Sequence, residues 1–255
     1  MGVVNVTPDS FSDGGRYFDA QAAVAHARQL AAEGADLVDL GGESTRPGSA
    51  PVSEDEELRR ILPVLGNLSL KIPVSVDTRR SRVMREALAA GASMINDVEA
   101  LCAAGALGAV AASGCAVCLM HKKGEPATMQ HEPHYADVLA EVKGFLKERV
   151  NAAQAAGIAA GRIVVDPGFG FGKTAAHNLE LLRRLKEFSD LNVPLAVGWS
   201  RKSTLGKLTG RPVDERLAGS LAAALLALQG GATILRVHDV KETRDVIAVW
   251  QAYSQ

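Results

Sequence analysis

Three segments of the chain repeat one local pattern: an Ala/Leu-rich helix end, a glycine, and a short apolar strand. Ala31-Ala32-Glu33-Gly34-Ala35-Asp36-Leu37-Val38-Asp39 is echoed by Leu88-Ala89-Ala90-Gly91-Ala92-Ser93-Met94-Ile95-Asn96 and by Leu228-Gln229-Gly230-Gly231-Ala232-Thr233-Ile234-Leu235-Arg236. Ala112-Ser113-Gly114 ahead of 115–120 is a shorter copy. The glycine suits the left-handed position just past a helix, where a side chain would clash. A helix that ends this way and returns at once into a strand is the αβ half of an α/β unit.

The other strands lack that lead-in but are legible at 3–6, 74–76 after Pro73, 163–165, and 195–197 after Pro194. Helices are expected at 21–33, 54–65, 80–90, 103–112, 136–156, 178–188, 214–229 and 240–252, with 122–135 as a long loop. Ser53 and Glu56 have the spacing of a capping box, and Pro63 should stop or kink the second helix near Ile61. The strands are nearly continuous apolar runs, which implies a parallel sheet covered on both faces. Periodicity does not separate an open sheet from a closed one, but about eight alternating units in a chain of 255 residues favour a single (β/α)8 TIM barrel spanning 1–255.

Bulk properties exclude some classes. A formal net charge of -1 offers no basic excess for nucleic acid. No apolar run reaches the ~18 residues of a membrane span, and no leader pattern opens the chain. Cys102, Cys115 and Cys118 are odd in number, and a strand would turn the last two to opposite faces. Buried, reduced thiols in a cytoplasmic protein are the reading.

Polar residues gather after the strands. Asn5 follows the first, Asp39 and the Gly41–Gly48 turn the second, Asp77 the third, Asn96-Asp97 the fourth and Met120-His121 the fifth. The sixth runs into Asp166-Pro167-Gly168-Phe169-Gly170-Phe171-Gly172-Lys173. The seventh meets Gly198-Trp199-Ser200-Arg201-Lys202, and the eighth carries Arg236 and His238-Asp239. A barrel brings these ends to one rim, where side chains are held rigidly around a pocket. Alone, an Asp at a strand end reads more simply as a helix cap, and Asp97 and Asp239 are read so; His26 and His177 read as surface residues. Taken together, Asp77, Asn96 and Asp166 can grip one heterocycle, while Arg46, Lys202, Arg236 and His238 supply cationic donors to a polyanion beside it. No zinc-like spacing occurs, so a metal would be a hard one such as Mg²⁺, shared with phosphates.

These turns, in this order, resemble the dihydropteroate synthase family. The matching segments are Asn5-Val6-Thr7-Pro8-Asp9-Ser10-Phe11-Ser12-Asp13-Gly14-Gly15, Gly42-Glu43-Ser44-Thr45-Arg46-Pro47-Gly48, Ser75-Val76-Asp77-Thr78 and Ile95-Asn96-Asp97-Val98. Asp166 to Lys173, Ser200-Arg201-Lys202-Ser203 and Arg236-Val237-His238-Asp239-Val240 complete them. The resemblance implies Mg²⁺-dependent condensation of 6-hydroxymethyl-7,8-dihydropterin diphosphate with p-aminobenzoate. It implies a pterin held by Asp77, Asn96, Asp166, Lys202, Arg236, Met120 and Gly198, and a diphosphate held by Thr45, Arg46, Arg236 and His238. By the same resemblance, Phe11, Pro47, Phe171 and Ser203 border p-aminobenzoate, Asn5 assists Mg²⁺, and the catalytic set is Asp77, Arg46, Lys202 and His238. A homodimer through late helices and sulfonamide sensitivity are implied too.

The chain departs from the family pattern in three ways. A short hairpin usual before the first strand is missing, Trp199 stands where a smaller aliphatic residue is common, and His121-Lys122-Lys123 is unusually basic. Two rivals share the pterin grip: a methyltetrahydrofolate:corrinoid methyltransferase, and a non-catalytic pterin-binding homologue. The Thr45-Arg46-Pro47-Gly48 turn and the Ser200-Arg201-Lys202 run favour the synthase over the methyltransferase, and a non-catalytic homologue would show loss of a cationic or metal-site residue, none of which is lost.

Overall fold

The computed structural model describes residues 1–6, 20–44, 51–125 and 128–254. Eight short parallel strands alternate with helices along the chain. β1 (Gly2–Asn5), β2 (Val38–Gly41), β3 (Val74–Asp77), β4 (Met94–Asp97), β5 (Ala116–Met120) and β6 (Ile163–Asp166) pair in sequence order, and β7 (Ala196–Val197) pairs with β8 (Ile234–Leu235). Parallel bridges join Val165 to Leu195 and Gly2 to Val237, so β6 meets β7 and β8 returns to β1. Val237 O accepts from Val3 N at 3.0 Å, and Val237 N donates to Met1 O at 2.9 Å. The sheet therefore closes into the expected eight-stranded barrel.

Alternation along each strand divides the core. Val4, Val38, Leu40, Val76, Ile95, Val117, Leu119, Ile163 and Val165 face outward into a continuous apolar layer beneath the helices. The intervening positions point inward. At mid-barrel they are Met94, Cys118, Val164 and Ala196, and one step further along the strands they become Asn96, Met120, Asp166 and Gly198. A barrel packed at its waist and polar at its C-terminal mouth is the result.

The helices are α1 (Ala20–Ala32), α2 (Glu54–Asn67), α3 (Ser81–Ala89), α4 (Ala106–Ser113), α5 (Val138–Ala155), α6 (Ala175–Arg183), α7 (Ser203–Thr209), α8 (Leu217–Gln229) and α9 (Val240–Tyr253). The repeated glycine does what its position implied: Gly34, Gly91 and Gly231 have φ of +97°, +101° and +93°. In each repeat the next residue donates back five positions, as Ala35 N does to Leu30 O at 3.0 Å, closing a Schellman turn. Gly157 is a fourth case, with Ile158 N to Ala153 O at 3.0 Å.

Some sequence expectations need correcting. Pro63 neither ends nor replaces α2, which continues to Asn67. Pro63 and Arg59 lie on the same exposed side, so the Arg59 carbonyl deprived of its helical donor faces water. Ser53 caps α2 through Glu56 N at 3.2 Å, but the Glu56 carboxylate pairs with Arg59 and Arg60 in place of completing a box. The reciprocal box belongs to Thr174 and His177 at the start of α6, which begins three residues earlier than expected and gives way to a 3₁₀ stretch at Leu185–Leu191. His177 is accordingly half-buried, its ring edge-on to Tyr135 at 5.0 Å. The three cysteines are free, but Cys102 is exposed and only Cys118 is fully buried.

Candidate active site at the barrel mouth

Asp39, Asp77 and Asn96 lie on the inward set of the neighbouring strands β2, β3 and β4, and a guanidinium from the end of β8, on the other side of β1, ties the two acids together. Arg236, just beyond β8, donates Nε to Asp39 Oδ2 at 2.7 Å and a terminal nitrogen to Asp77 Oδ2 at 3.0 Å. Asn96 donates its amide to the same Asp39 oxygen at 3.0 Å. Asp39 is fully buried, and its other oxygen has no partner among the described residues.

Asp77 feels burial first, then Arg236, then the carboxylates of Asp39, Glu57 and Asp97. Its pKa is raised from 3.8 to about 7, so near neutrality it exchanges a proton readily. Asp166 at the end of β6 is also raised by burial, although its Oδ1 accepts from Gly168 N at 2.7 Å. Lys202 reaches the same space from the turn after β7. Its ammonium donates to Phe169 O and lies 4.3 Å over the Phe171 ring. Burial pulls its pKa from 10.5 down to about 8, with Asp166, Arg236 and Asp77 as the charges it senses. Two acids and two bases on four different strands thus share one electrostatic environment. Burial weakens the charge on Asp77, Asp166 and Lys202, and Arg236, its pKa raised by the carboxylates, stays cationic.

The turn after β6 carries Asp166 and Phe171, and two carbonyl contacts dictate its glycines. A side chain on Gly168, whose φ is +68°, would lie 1.9 Å from His121 O, and one on Gly172 would lie 2.1 Å from Lys123 O. Beneath the turn, buried Lys173 donates to Gly168 O at 2.9 Å and Phe171 O at 3.1 Å, and contacts His121 Nδ1 at 2.9 Å. His121, buried beside that ammonium, has its pKa pushed down to about 3, so it stands as neutral imidazole.

Of the other expected site residues, Met120 lies level with Asp166 in the β5–β6 register, and Gly198 leaves 3.7 Å between a would-be side chain and Arg236 Cβ. Asn5 ends β1 opposite Gly41, where an added side chain would sit 3.9 Å from Asn5 Oδ1 and 3.7 Å from Asp77 Cβ. His238 Nδ1 is 3.0 Å from Ser200 Oγ. Ser203 is exposed at the start of α7. Phe11, Thr45, Arg46 and Pro47 lie outside the described residues. On either side of 45–50, Glu43 accepts from Arg80 at 2.8 Å and from Val52 N at 3.1 Å.

Asp97 is not a helix cap; it accepts from Glu99 N and Leu101 N, both at 2.7 Å, and braces the loop ahead of α4. Asp239 stands at the N-cap of α9 without a side-chain capping bond and pairs with Arg201. Trp199 packs in the helix-facing core, 5.2 Å from Phe169, on the strand face away from Gly198. The sequence places Asp39, Lys173 and Ser200 at strand ends and turns but assigns them no role at the site. Asp39 had a signal, since it shares the inward parity of Gly41 and its strand partner Ser75 shares that of Asp77.

A closed parallel barrel thus brings buried carboxylates, an amide and cations together at its mouth, groups able to hydrogen-bond a polar heterocycle and to attract an anion. The comparisons agree. A family model described as pterin binding enzyme matches residues 1–238. The dihydropteroate synthase of Escherichia coli (strain K12) is 50% identical over 254 residues, covering 99% of this chain and 90% of that one. The Xanthomonas albilineans dihydropteroate synthase solved with 4-aminobenzoic acid has a TM-score of 0.94 at 55% identity, covering 100% of this chain and 92% of that one. It has also been solved with 7,8-dihydropteroate, at a TM-score of 0.90 and 52% identity with the same coverage. The Yersinia pestis enzyme in a sulfonamide drug complex gives 0.95 at 47% identity, covering 100% and 93%. The chain belongs to the pterin-binding enzyme family, among its dihydropteroate synthases.

Proposed function

We propose that this chain condenses 6-hydroxymethyl-7,8-dihydropterin diphosphate with p-aminobenzoate, giving 7,8-dihydropteroate and pyrophosphate for folate biosynthesis. The convergence of Asp77, Asn96, Asp166, Lys202 and Arg236 on one barrel mouth carries the reading. The acids and the amide suit the guanidine-like edge of a pterin, with Met120 and Gly198 beside its flat face. Arg236 and His238, with Thr45 and Arg46 outside the described residues, suit the diphosphate. The p-aminobenzoate lies near Phe171 and Ser203, with Phe11 and Pro47 completing that border.

The chemistry needs no protein nucleophile. The C–O bond between the pterin methylene and the diphosphate breaks, its electron pair leaving with pyrophosphate. Asp77, drawn into its ionised form by the developing positive charge, stabilises the pterin cation. The aniline nitrogen then bonds to the methylene carbon and gives up its surplus proton. Lys202 and Arg236 keep the ring in place while His238 and Arg46 hold the departing anion.

Asn5 fits a role toward Mg²⁺. Its amide oxygen is a hard donor, and the bare Gly41 keeps space open between it and Asp77. Among the described residues no group of three His, Cys, Asp or Glu side chains could hold a metal, so the substrate's phosphates would supply most of the ligands. Bound there, Mg²⁺ would offset charge on the leaving diphosphate.

The same reading makes residues 1–255 one working domain in the cytoplasm, in keeping with three free thiols and no helix long and apolar enough to cross a membrane among the described residues. It makes the protein a homodimer, since Leu208, Val213, Leu217 and Leu226 are exposed on and between α7 and α8. The deciding experiment is pyrophosphate release measured with each component left out in turn. Release should require both p-aminobenzoate and Mg²⁺, and a sulfonamide should suppress it competitively with p-aminobenzoate. Release that ignores p-aminobenzoate would sink the assignment.

A further inference from the structure

Ser200 lies in the turn after β7, is 7% exposed, and makes two contacts with the same residue beyond the neighbouring strand, β8. Its Oγ accepts from His238 N at 3.2 Å and stands 3.0 Å from His238 Nδ1. One position along, Arg201 Nε donates to Asp239 Oδ2 at 3.1 Å. Two adjacent cross-links therefore hold the turn after β7 against the residues that follow β8, and Ser200 is fixed before any ligand arrives.

A serine hydroxyl has one proton to give and two lone pairs to receive. With the backbone N–H of His238 already donating to Oγ, the hydroxyl proton has one acceptor among the described residues, Nδ1 of the same histidine. Were Nδ1 to carry the proton instead, Oγ would accept twice and its own buried hydrogen would be left without a partner, which is unfavourable. The Ser200–His238 pair is satisfied with Nδ1 accepting, the tautomer that carries its proton on Nε2.

We propose that Ser200 is a positioning residue that sets the tautomer of His238, keeping Nδ1 as acceptor and the proton on Nε2, the form able to donate to the substrate's diphosphate. The role rests on the functional reading above. It explains why a serine stands between Trp199 and Arg201, where the pterin itself needs none. The closest analogue in physical terms is a metal-binding histidine whose far nitrogen is fixed by an outer partner.

The test combines ¹⁵N NMR of the His238 ring, above the pH of its own titration, with steady-state kinetics on Ser200→Ala and Ser200→Thr. The wild type should show Nε2 protonated and Nδ1 bare. Ser200→Ala should give mixed tautomers and lower kcat on the order of 10- to 100-fold, with KM for p-aminobenzoate little changed. Ser200→Thr, which keeps the hydroxyl, should restore both. A wild-type ring protonated at Nδ1, or an Ala variant whose tautomer matches wild type, overturns the proposal. So does a kcat loss in Ser200→Ala that tracks a fall in Tm and is not rescued by threonine. Full pyrophosphate release by His238→Gln would overturn the donor role and the functional reading of His238, while the tautomer measurement would still stand by itself.

Discussion

Asp77 sits where burial and three other carboxylates, Asp39, Glu57 and Asp97, oppose its charge, and Arg236 is the main charge in its favour. That is a costly place to keep an acid unless its charge is used. A folded-state pKa raised from 3.8 to about 7 means the carboxyl favours folding below pH ~4 and loses that contribution as pH rises through 7. Asp77→Asn should therefore raise Tm at pH 8, by about 2–4 °C for each kcal/mol relieved, with no gain near pH 4. The same variant should lower kcat on the order of 100-fold while weakening pterin binding far less; equal losses in both would count against the cation-stabilising role. Lys202 gives the opposite limb. Its pKa is lowered to about 8 by burial, so it sheds its proton as pH rises through that value. Titration calorimetry of the pterin diphosphate should show Kd climbing about tenfold per pH unit above 8, and Lys202→Met should flatten that climb. A flat wild-type curve would remove Lys202 from the binding of charge.

Elements answer to local rules that the surrounding packing can override. Pro63 should have broken α2, yet the helix runs on because the proline lies on its solvent side and Leu58, Ile61, Val64 and Leu65 anchor the opposite side. Restoring the missing donor with Pro63→Ala should stabilise the protein by about 1–2 kcal/mol, after the loss of proline's rigidity in the unfolded chain is allowed for. Chemical denaturation reads this directly, and destabilisation would mean the proline shapes the helix end. Glycines separate in the same way. Gly91→Ala meets no atom within 4 Å and carries only the strain of φ +101°, about 1 kcal/mol. Gly168→Ala would drive a methyl onto His121 O and should cost more than ~3 kcal/mol or move the turn. Its pterin affinity should fall with its stability, because that turn presents Asp166 and supplies the carbonyl that holds Lys202.

The whole molecule is a barrel that keeps apolar contacts at its waist and outer layer and concentrates charge at one end. Outside that end, Leu208, Leu217 and Leu226 of α7 and α8 are large apolar side chains exposed on the helical surface. Sedimentation should show a dimer for the wild type, and Leu226→Glu should shift it toward monomer without altering the barrel. A wild-type monomer at micromolar concentration would remove the dimer from the proposal.

Much of this was legible in the chain itself. Gly34, Gly91 and Gly231 announced the helix ends because only a residue without Cβ takes φ near +95° cheaply. The strand-end acids and bases were visible because each follows an apolar run too short to be anything but a strand. Local patterns of this kind are written in neighbouring residues. Three-dimensional closure was needed for the rest. Arg236 meets Asp39 across 197 positions and Asp77 across 159, and no spacing rule reports a contact of that length. Asp97 and Asp239 looked like caps because a cap is the commonest use of an acid at a strand end. Instead Asp97 accepts from two N–H groups of its own loop, and Asp239 keeps the N-cap position of α9 while its side chain is taken by the Arg201 guanidinium. Sequence alone determined the alternation, the turn chemistry and the list of residues at the rim, since these depend on backbone sterics and period. Which acids share a cation, which lysine is buried, and which hydroxyl holds His238 were settled only when the barrel closed, because burial and charge act through distance in space.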